Sequence, residues 1–461
     1  MRKRICLGAI PLLLLGGAQA SVANVNSLTA GVSLGLDMDR YSFKGAAASG
    51  FNNDYNRMIL TPTVDFKSDD VTNGMEFIYS PGFQYDLNGK GTDVNHNLNF
   101  SAHVLPAKEW QIRISDIYIN SDDSTQTTSL SPATSGANAS NGSSNGTVDQ
   151  VSNQLGRQRF WTNASSVASD YTYLPDSVVT LGYTYSVLRN DGGSAGLEGY
   201  QDYNKHDALL SASYRFHPEW KAIASGEYIR GLFSTTGTPT LGTQSDLSEY
   251  IGNVRLESYI MPQNTFSLMY GYMGTKYDQT DMNNTDIHSL TAGWKRNISP
   301  HLNFDIGGGP SYVKTESQAG NWGYNAHALL NYLIEHGQLG IDVEKAYSMD
   351  TFSGTSNGGT IDTWSVTTTF NYQLLEDLST GLFASYQDQD HQDALLNNTI
   401  TNYKERQYQA GATLNYNFLR YYTLTVGYTF TRLDPDTTQI TGYDENRVYL
   451  MLSAKNELLR W

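Results

Sequence analysis

From about Asn26 onward, apolar and polar residues alternate with period two along most of the chain, the signature of strands with one face in an apolar environment. In the run Val179 to Val187, one phase is Val, Leu, Tyr, Tyr and Val, and the other is Thr, Gly, Thr and Ser. Phe266, Leu268, Tyr270 and Tyr272 alternate with Ser267, Met269 and Gly271. Leu424, Val426, Tyr428 and Phe430 alternate with Thr425, Gly427 and Thr429. Met58, Leu60, Pro62, Val64 and Phe66 alternate with Thr61, Thr63 and Asp65. Runs of about ten residues suit a tilted strand crossing a bilayer. They exceed the five or six typical of soluble strands. Tyr, Phe and Trp recur near the ends of the runs, where a membrane barrel carries aromatic girdles.

The connections come in two alternating kinds. Short ones carry Pro with charged or aromatic neighbours, as in Leu105-Pro106-Ala107-Lys108-Glu109-Trp110, Leu174-Pro175-Asp176, His217-Pro218-Glu219-Trp220, Met261-Pro262-Gln263-Asn264 and Ser299-Pro300-His301. Between them lie longer polar stretches at 122–156, 190–204, 234–246, 278–286, 349–360, 388–400 and 433–445. Short turns at one rim and long loops at the other is the outer-membrane pattern.

The pattern therefore predicts an all-β fold: a transmembrane antiparallel up-and-down β-barrel of about twenty strands, within two either way. The expected strand centres fall near positions 34, 62, 80, 100, 115, 165, 183, 210, 227, 254, 270, 292, 306, 328, 342, 367, 383, 410, 427 and 450. The segment near 165 is the weakest, and Asp116 breaks the alternation of its strand, which suggests a bulge there. Closure is a physical requirement, because an open strand edge in lipid would leave N–H and C=O groups unpaired.

The N-terminus adds a destination. Arg2, Lys3 and Arg4 precede an apolar run from Ile5 to Leu15, and Gly16-Gly17-Ala18-Gln19-Ala20 follows. This is a cleavable signal peptide over 1–20, leaving 21–461 as one barrel domain bound for the Gram-negative outer membrane. Cys6 is the sole cysteine and lies within the signal. A disulfide framework, a thiolate metal site and a cysteine nucleophile are thereby excluded from the mature chain. The formal net charge of -16 argues against nucleic acid as a partner.

The polar phase also carries charge. Asp37, Asp39, Asp65, Glu76, Asp86, Glu257, Asp305, Asp342 and Glu344 are expected to face the lumen, as are Lys67, Arg113, Arg215, Arg255 and Lys295. Charges of both signs imply a wet interior, since a dry one would cost several kcal/mol per ion. The acidic excess predicts a mild preference for cations, with pairing across the wall as the structural alternative. The segment 122–156 is almost all Ser, Thr, Asn, Gly and Ala. It is either a third external loop folded into the lumen or a surface loop. Asp278, Asp281 and Asp286, and Asp434 with Asp436, match no EF-hand spacing and are expected to stay solvated. No metal or cofactor is predicted, and no Gly-x-Ser-x-Gly, His-Glu-x-x-His, phosphate loop or dinucleotide fingerprint points to an enzyme. Gly307-Gly308-Gly309 reads as a bend or bulge in a strand. Trp461, a terminal aromatic, is the expected signal to the barrel-assembly machinery, although it falls out of phase with Val448, Leu450, Leu452 and Ala454.

Met58-Ile59-Leu60-Thr61-Pro62 and Phe77-Ile78-Tyr79-Ser80-Pro81-Gly82-Phe83, with the signal, the Tyr-rich strands and the terminal aromatic, resemble the β-barrel porins of Gram-negative bacteria. The resemblance covers nearly the whole mature chain but is one of texture, so it transfers no functional residue. It implies a channel for hydrophilic solutes, with outer-membrane lipid and lipopolysaccharide around it. Some members of that broad group serve exopolysaccharide export and others sheathe multihaem cytochromes, so a barrel filled by a polysaccharide or periplasmic partner is the alternative expectation. The lack of cysteines near the mature N-terminus lowers the cytochrome-sheath reading. A TonB-dependent transporter is disfavoured, because the first strand opens too soon after the cleavage point to leave room for a plug.

Overall fold

A computed structural model of the chain describes residues 25–44, 54–70, 72–89, 91–123, 159–190, 201–235, 246–278, 282–316, 319–352, 359–396, 399–438 and 440–461. The signal segment and nearly all of 122–156 lie outside these residues. The described strands form one sheet: β1 (Val25–Lys44), β2 (Asp54–Asp69), β3 (Asn73–Tyr79), β4 (Gly82–Asp86), β5 (Thr92–Ala107), β6 (Trp110–Ser121) and β7 (Phe160–Leu174). Next come β8 (Ser177–Asn190), β9 (Gln201–His217), β10 (Trp220–Thr235), β11 (Leu247–Ser258), β12 (Asn264–Tyr277), β13 (Thr285–Ser299) and β14 (Leu302–Thr315). The circuit ends with β15 (Asn321–Ile334), β16 (Gly337–Met349), β17 (Thr360–Leu375), β18 (Leu378–Leu396), β19 (Thr399–Phe418), β20 (Tyr422–Pro435) and β21 (Gly442–Arg460). Successive strands pair antiparallel, and β21 returns to β1, which closes the barrel. β3 and β4 lie end to end between β2 and β5, interrupted at Ser80-Pro81. Pro81 has no N–H to give to a ladder, so two short strands make one stave and the barrel has twenty staves. Every expected strand centre falls within a stave, including the weak one near 165.

Large apolar side chains occupy the exposed phase all round the wall, among them Leu34, Leu60, Val167, Leu181, Leu210, Val254, Leu268, Leu382, Val426 and Leu450. Exposed Trp110, Tyr171, Tyr214, Tyr416 and Tyr422 ring the short-turn side of this band. Tyr183, Tyr228, Tyr250, Tyr324, Tyr408 and Tyr428 ring the other. An apolar band between two aromatic girdles is the outer surface of a membrane-spanning barrel. Charged residues above the upper girdle carry several strands beyond the band. Residues 388–396, expected as loop, continue β18, because outward Asp388 and Asp390 pair with Arg406 and Lys404 of β19.

Two local expectations are corrected. There is no bulge at Asp116: β6 and β7 keep one register from Trp110↔Tyr171 to Ser121↔Phe160. The carboxylate stays on the outer face and accepts hydrogen bonds from Asn163 Nδ2 at 3.0 Å and Ser165 Oγ at 2.5 Å, so it needs no backbone adjustment. The bulge lies instead at Leu458, where Leu28 pairs with Leu459 and Thr29 with Glu457. One extra residue flips the phase. Trp461 thereby returns to the outer face, exposed beside Phe66 and tied to Asn26 by paired backbone hydrogen bonds of 2.8 and 3.0 Å.

The glycine run 307–309 marks a close approach rather than a bulge, since β13 and β14 hold one register on both sides of it. A Cβ on Gly309 would collide with the Leu290 carbonyl oxygen. Gly309→Val is expected to cost at least about 1–3 kcal/mol through overpacking. The check is the heat-modifiable folded fraction on a gel, with Gly226→Ala as the silent control, because a Cβ on Gly226 meets open space.

Candidate functional site

The phase opposite the apolar band lines the lumen, and at the long-loop half it is crowded. On β21, Glu445, Arg447 and Tyr449 share this phase; on β1, Asp37, Asp39 and Tyr41 do. Arg447 donates from Nε and Nη2 to the two Asp37 oxygens at 2.9 and 3.1 Å. Its remaining Nη1 meets Asp123 Oδ2 at 2.9 Å. Arg57 on β2 meets Asp122 Oδ2 at 2.6 Å and donates to Gln84 Oε1 at 2.9 Å. Tyr41 Oη donates to Glu445 Oε1 at 3.0 Å. Asp39 is fully buried beside this group.

Asp122 and Asp123 follow β6, yet their partners stand on β2 and β21. At Asp122 and Asp123 the chain leaving β6 therefore lies on the lumen side, with both carboxylates reaching arginines of other staves. Two guanidinium groups, on β2 and β21, hold these two residues through hydrogen bonds strengthened by charge. A cavity of about 310 Å³ opens on the wall beside this cluster, lined by Asp37, Gln409, Thr429, Glu445, Arg447 and Tyr449 among others.

A second segment crosses from the opposite side. Phe352 follows β16 but packs on β9 and β10, with ring centroids 5.3 Å from Tyr203 and 5.5 Å from Phe233. Lys205 Nζ lies 4.8 Å from the centre of its ring. Behind these rings sits an inward apolar cluster of Ile117, Ile119, Phe160, Leu188 and Tyr203. Apolar side chains in the lumen phase make sense only where another segment covers them, and Phe352 supplies that cover. The upper lumen is thus narrowed from two sides, by a charged contact and an aromatic one.

The other residues singled out by alternation lie in smaller groups along the same phase. Asp65 pairs with Lys455 at 3.0 Å, and Glu76 stands opposite Lys67 in the β2–β3 register. Asp86 stands opposite Arg57, and its Oδ1 accepts the Asn88 N–H of the following turn at 2.7 Å. Arg113 pairs with Asp170 at 2.8 Å. Near the short-turn rim Arg255 pairs with Glu257 at 2.7 Å, and Arg215 reaches Asp176 at 3.2 Å while covering the Tyr259 ring. Lys295 stands opposite Asp305, which contacts His327 at 3.2 Å; His327 is opposite Glu344, with Asp342 two residues before it on β16. The constriction brings together only Asp37 and Asp39 of the predicted set. Arg57 and Arg447 extend the predicted polar phase of their strands but were not singled out, and Glu445 lay in the stretch 433–445 expected as a loop. Asp122, Asp123 and Phe352 carry no periodic signal.

Of the acidic loop residues, Asp278 is held bidentate by Arg230 at 2.6 and 2.9 Å, which keeps its carboxyl below the usual range. Asp434 meets Lys44 at 3.2 Å, and Asp436 accepts the Lys404 N–H at 2.8 Å. Asp281 lies outside the described residues. Among the described residues no group of three His, Cys, Asp or Glu side chains could hold a metal ion.

Together, the closed wall and its two girdles define the class: a transmembrane β-barrel of the outer-membrane type. Two solved receptors agree on the fold. The ferric enterobactin receptor PfeA of Pseudomonas aeruginosa, a R480A mutant in complex with enterobactin, superposes with a TM-score of 0.51 at 9% identity, over 93% of this chain and 81% of the receptor. The siderophore receptor PirA of the same organism gives 0.51 and 9%, over 93% and 80%. Pseudomonas aeruginosa OpdK with vanillate aligns over 94% of this chain and 99% of its own, at 13% identity and a TM-score of 0.42. No protein-family profile and no curated protein matches the sequence.

Proposed function

We propose that this chain is a porin-type channel of the Gram-negative outer membrane that passes hydrophilic solutes with a mild preference for cations. The observation that carries the reading is the charged constriction. Among the described residues, Asp37, Asp39, Asp122, Asp123 and Glu445 cluster around Arg57 and Arg447. A narrow, wet passage with excess carboxylate attracts cations and repels anions. Barrels of sixteen to eighteen staves already enclose an aqueous channel, and twenty staves leave room for one even with two segments turned inward. The outward position of Trp461 supports its role as the residue offered to the barrel-assembly machinery. Lipopolysaccharide is the expected neighbour at the long-loop rim.

The test is single-channel conductance of the refolded full-length mature protein in a planar bilayer under a salt gradient. Discrete steps with a reversal potential favouring cations are expected. Silence from a protein that is β-rich by circular dichroism and heat-modifiable would overturn the reading and turn the search to a lumen partner, a polysaccharide or a periplasmic protein.

A further inference from the structure

On the outer wall, register aligns Leu210, Gly226, Gly252 and Tyr272 in one row across β9 to β12. The two central positions have no side chain, and a Cβ built on either meets nothing within 4 Å. The next row toward the short turns is Ala212, Ala224, Val254 and Tyr270. Small residues at four adjacent outward positions leave a notch of about 360 Å³ in the apolar band, walled by Leu210 on one side and Tyr270 and Tyr272 on the other. Almost nothing polar lines it.

The row toward the long loops holds Tyr228 and Tyr250, with ring centroids 5.3 Å apart. Tyr228 Oη reaches Ser248 at 3.3 Å, so its ring points up and away from the notch. One row higher the register sets His206, Arg230, Ser248 and Lys276 side by side. Arg230 bonds Ser248 and Asp278. Lys276 is exposed, its Nζ 5.8 Å from the centre of the Tyr250 ring. Among the described residues, the acidic groups near this row are Asp278, held by Arg230, Asp246, which accepts the Phe233 N–H at 2.8 Å and whose charge also acts on Arg230, and Asp286, which accepts from Tyr272 Oη at 2.7 Å. From the glycine row to the row of Arg230 and Lys276 is four residues, about 13 Å along the strand and about 10 Å along the membrane normal once the strand's tilt is allowed for.

We infer that this face is a binding site for one phosphorylated glycolipid of the outer leaflet, with an acyl chain in the Gly226–Gly252 notch and a phosphate over Lys276. The assignment rests on the membrane placement of the barrel but not on its lumen being open. The occupant is a lipid because the notch opens at hydrocarbon depth, is apolar throughout, and stands below an aromatic girdle and a row of hydrogen-bond donors. An anchored amphiphile has the same order of groups: tail, interface, charged head. Filling the row with side chains, as in the neighbouring rows, would remove the space for the tail.

The test is native mass spectrometry of the detergent-solubilised full-length mature barrel with added bisphosphorylated lipid A, and with the same lipid after phosphate removal. Wild type is expected to retain one lipid A and to hold the dephosphorylated lipid roughly tenfold more weakly. Gly226→Leu/Gly252→Leu, which fills the notch, and Lys276→Gln, which leaves it open, should each lower retention by about tenfold. Heat-modifiable migration verifies folding, and the Lys276 variant keeps the test valid if the double variant misfolds. Equal retention by wild type and Lys276→Gln would overturn the inference. So would a wild-type dimer that the filled notch splits into monomers, since the occupant would then be a second copy of this chain. These readouts are independent of conductance, so a barrel that is silent in bilayers yet retains lipid A upholds this site while defeating the channel reading.

Discussion

Arg447→Ala is expected to destabilise the barrel and to make it more cation-selective. Arg447 is the shared partner of Asp37 and Asp123, which are 5% and 6% exposed at their side chains. Removing it takes a guanidinium from two carboxylates with little access to water. Breaking a buried pair costs about 3–5 kcal/mol. The lower end applies here, because Arg447 keeps 21% of its own exposure and faces a lumen that water can enter. Urea titration of the folded fraction in detergent reads this loss. In a bilayer, the constriction gains one net negative charge and loses a tether of the segment at Asp123. The reversal potential should move further toward the cation limit and the unit conductance should rise. Asp123→Asn separates the two effects: it weakens the tether but removes a carboxylate, so its reversal potential should move the opposite way. If both variants shift selectivity in the same direction, the charge of this cluster does not govern permeation.

Phe352→Ala is the second large expected effect. The ring is held between Tyr203 and Phe233 and beneath Lys205, and it covers an inward apolar cluster. Truncating such a residue costs about 3–5 kcal/mol when its site cannot collapse, and strands of a closed barrel cannot move in to fill the gap. The segment 350–352 would lose its hold on the β9–β10 wall, and Ile119, Leu188 and Tyr203 would meet lumen water. Higher unit conductance with more open-channel noise is expected, with reversal potential unchanged because no charge is altered. Phe352→Leu should recover most of the stability. Conductance traces of Phe352→Ala identical to wild type would place Phe352 outside the conducting path.

Much of this architecture was legible in the residues. Alternation located all twenty staves, because each strand repeats the same local condition, one side against lipid and one against water. The two classes of connection told the rims apart for the same reason, since turn chemistry is read over a few residues. Alternation also placed Asp37 and Asp39 in the lumen phase. It could not pair Asp37 with Arg447, because they are 410 positions apart in the chain and meet only through closure of β21 on β1. Trp461 shows how one residue overrides the pattern. Read along the chain it fell in the wrong phase, and the bulge at Leu458 that corrects it is visible only against the partner strand. Asp116 is the converse, a broken alternation that needed no bulge because Asn163 and Ser165 of the next strand satisfy it.

The sequence by itself determined the class of fold, the stave number to within two and the two faces of the wall, because these follow from a period-two pattern and from the need to pair every backbone group in lipid. Only the tertiary structure decided where the constriction lies. Asp122, Asp123 and Phe352 sit in aperiodic positions whose placement depends on what staves several strands away offer: two guanidinium groups in one case, an aromatic shelf in the other. The Gly226–Gly252 notch belongs to the same kind of information, since single glycines in separate strands become a cavity only when register sets them side by side.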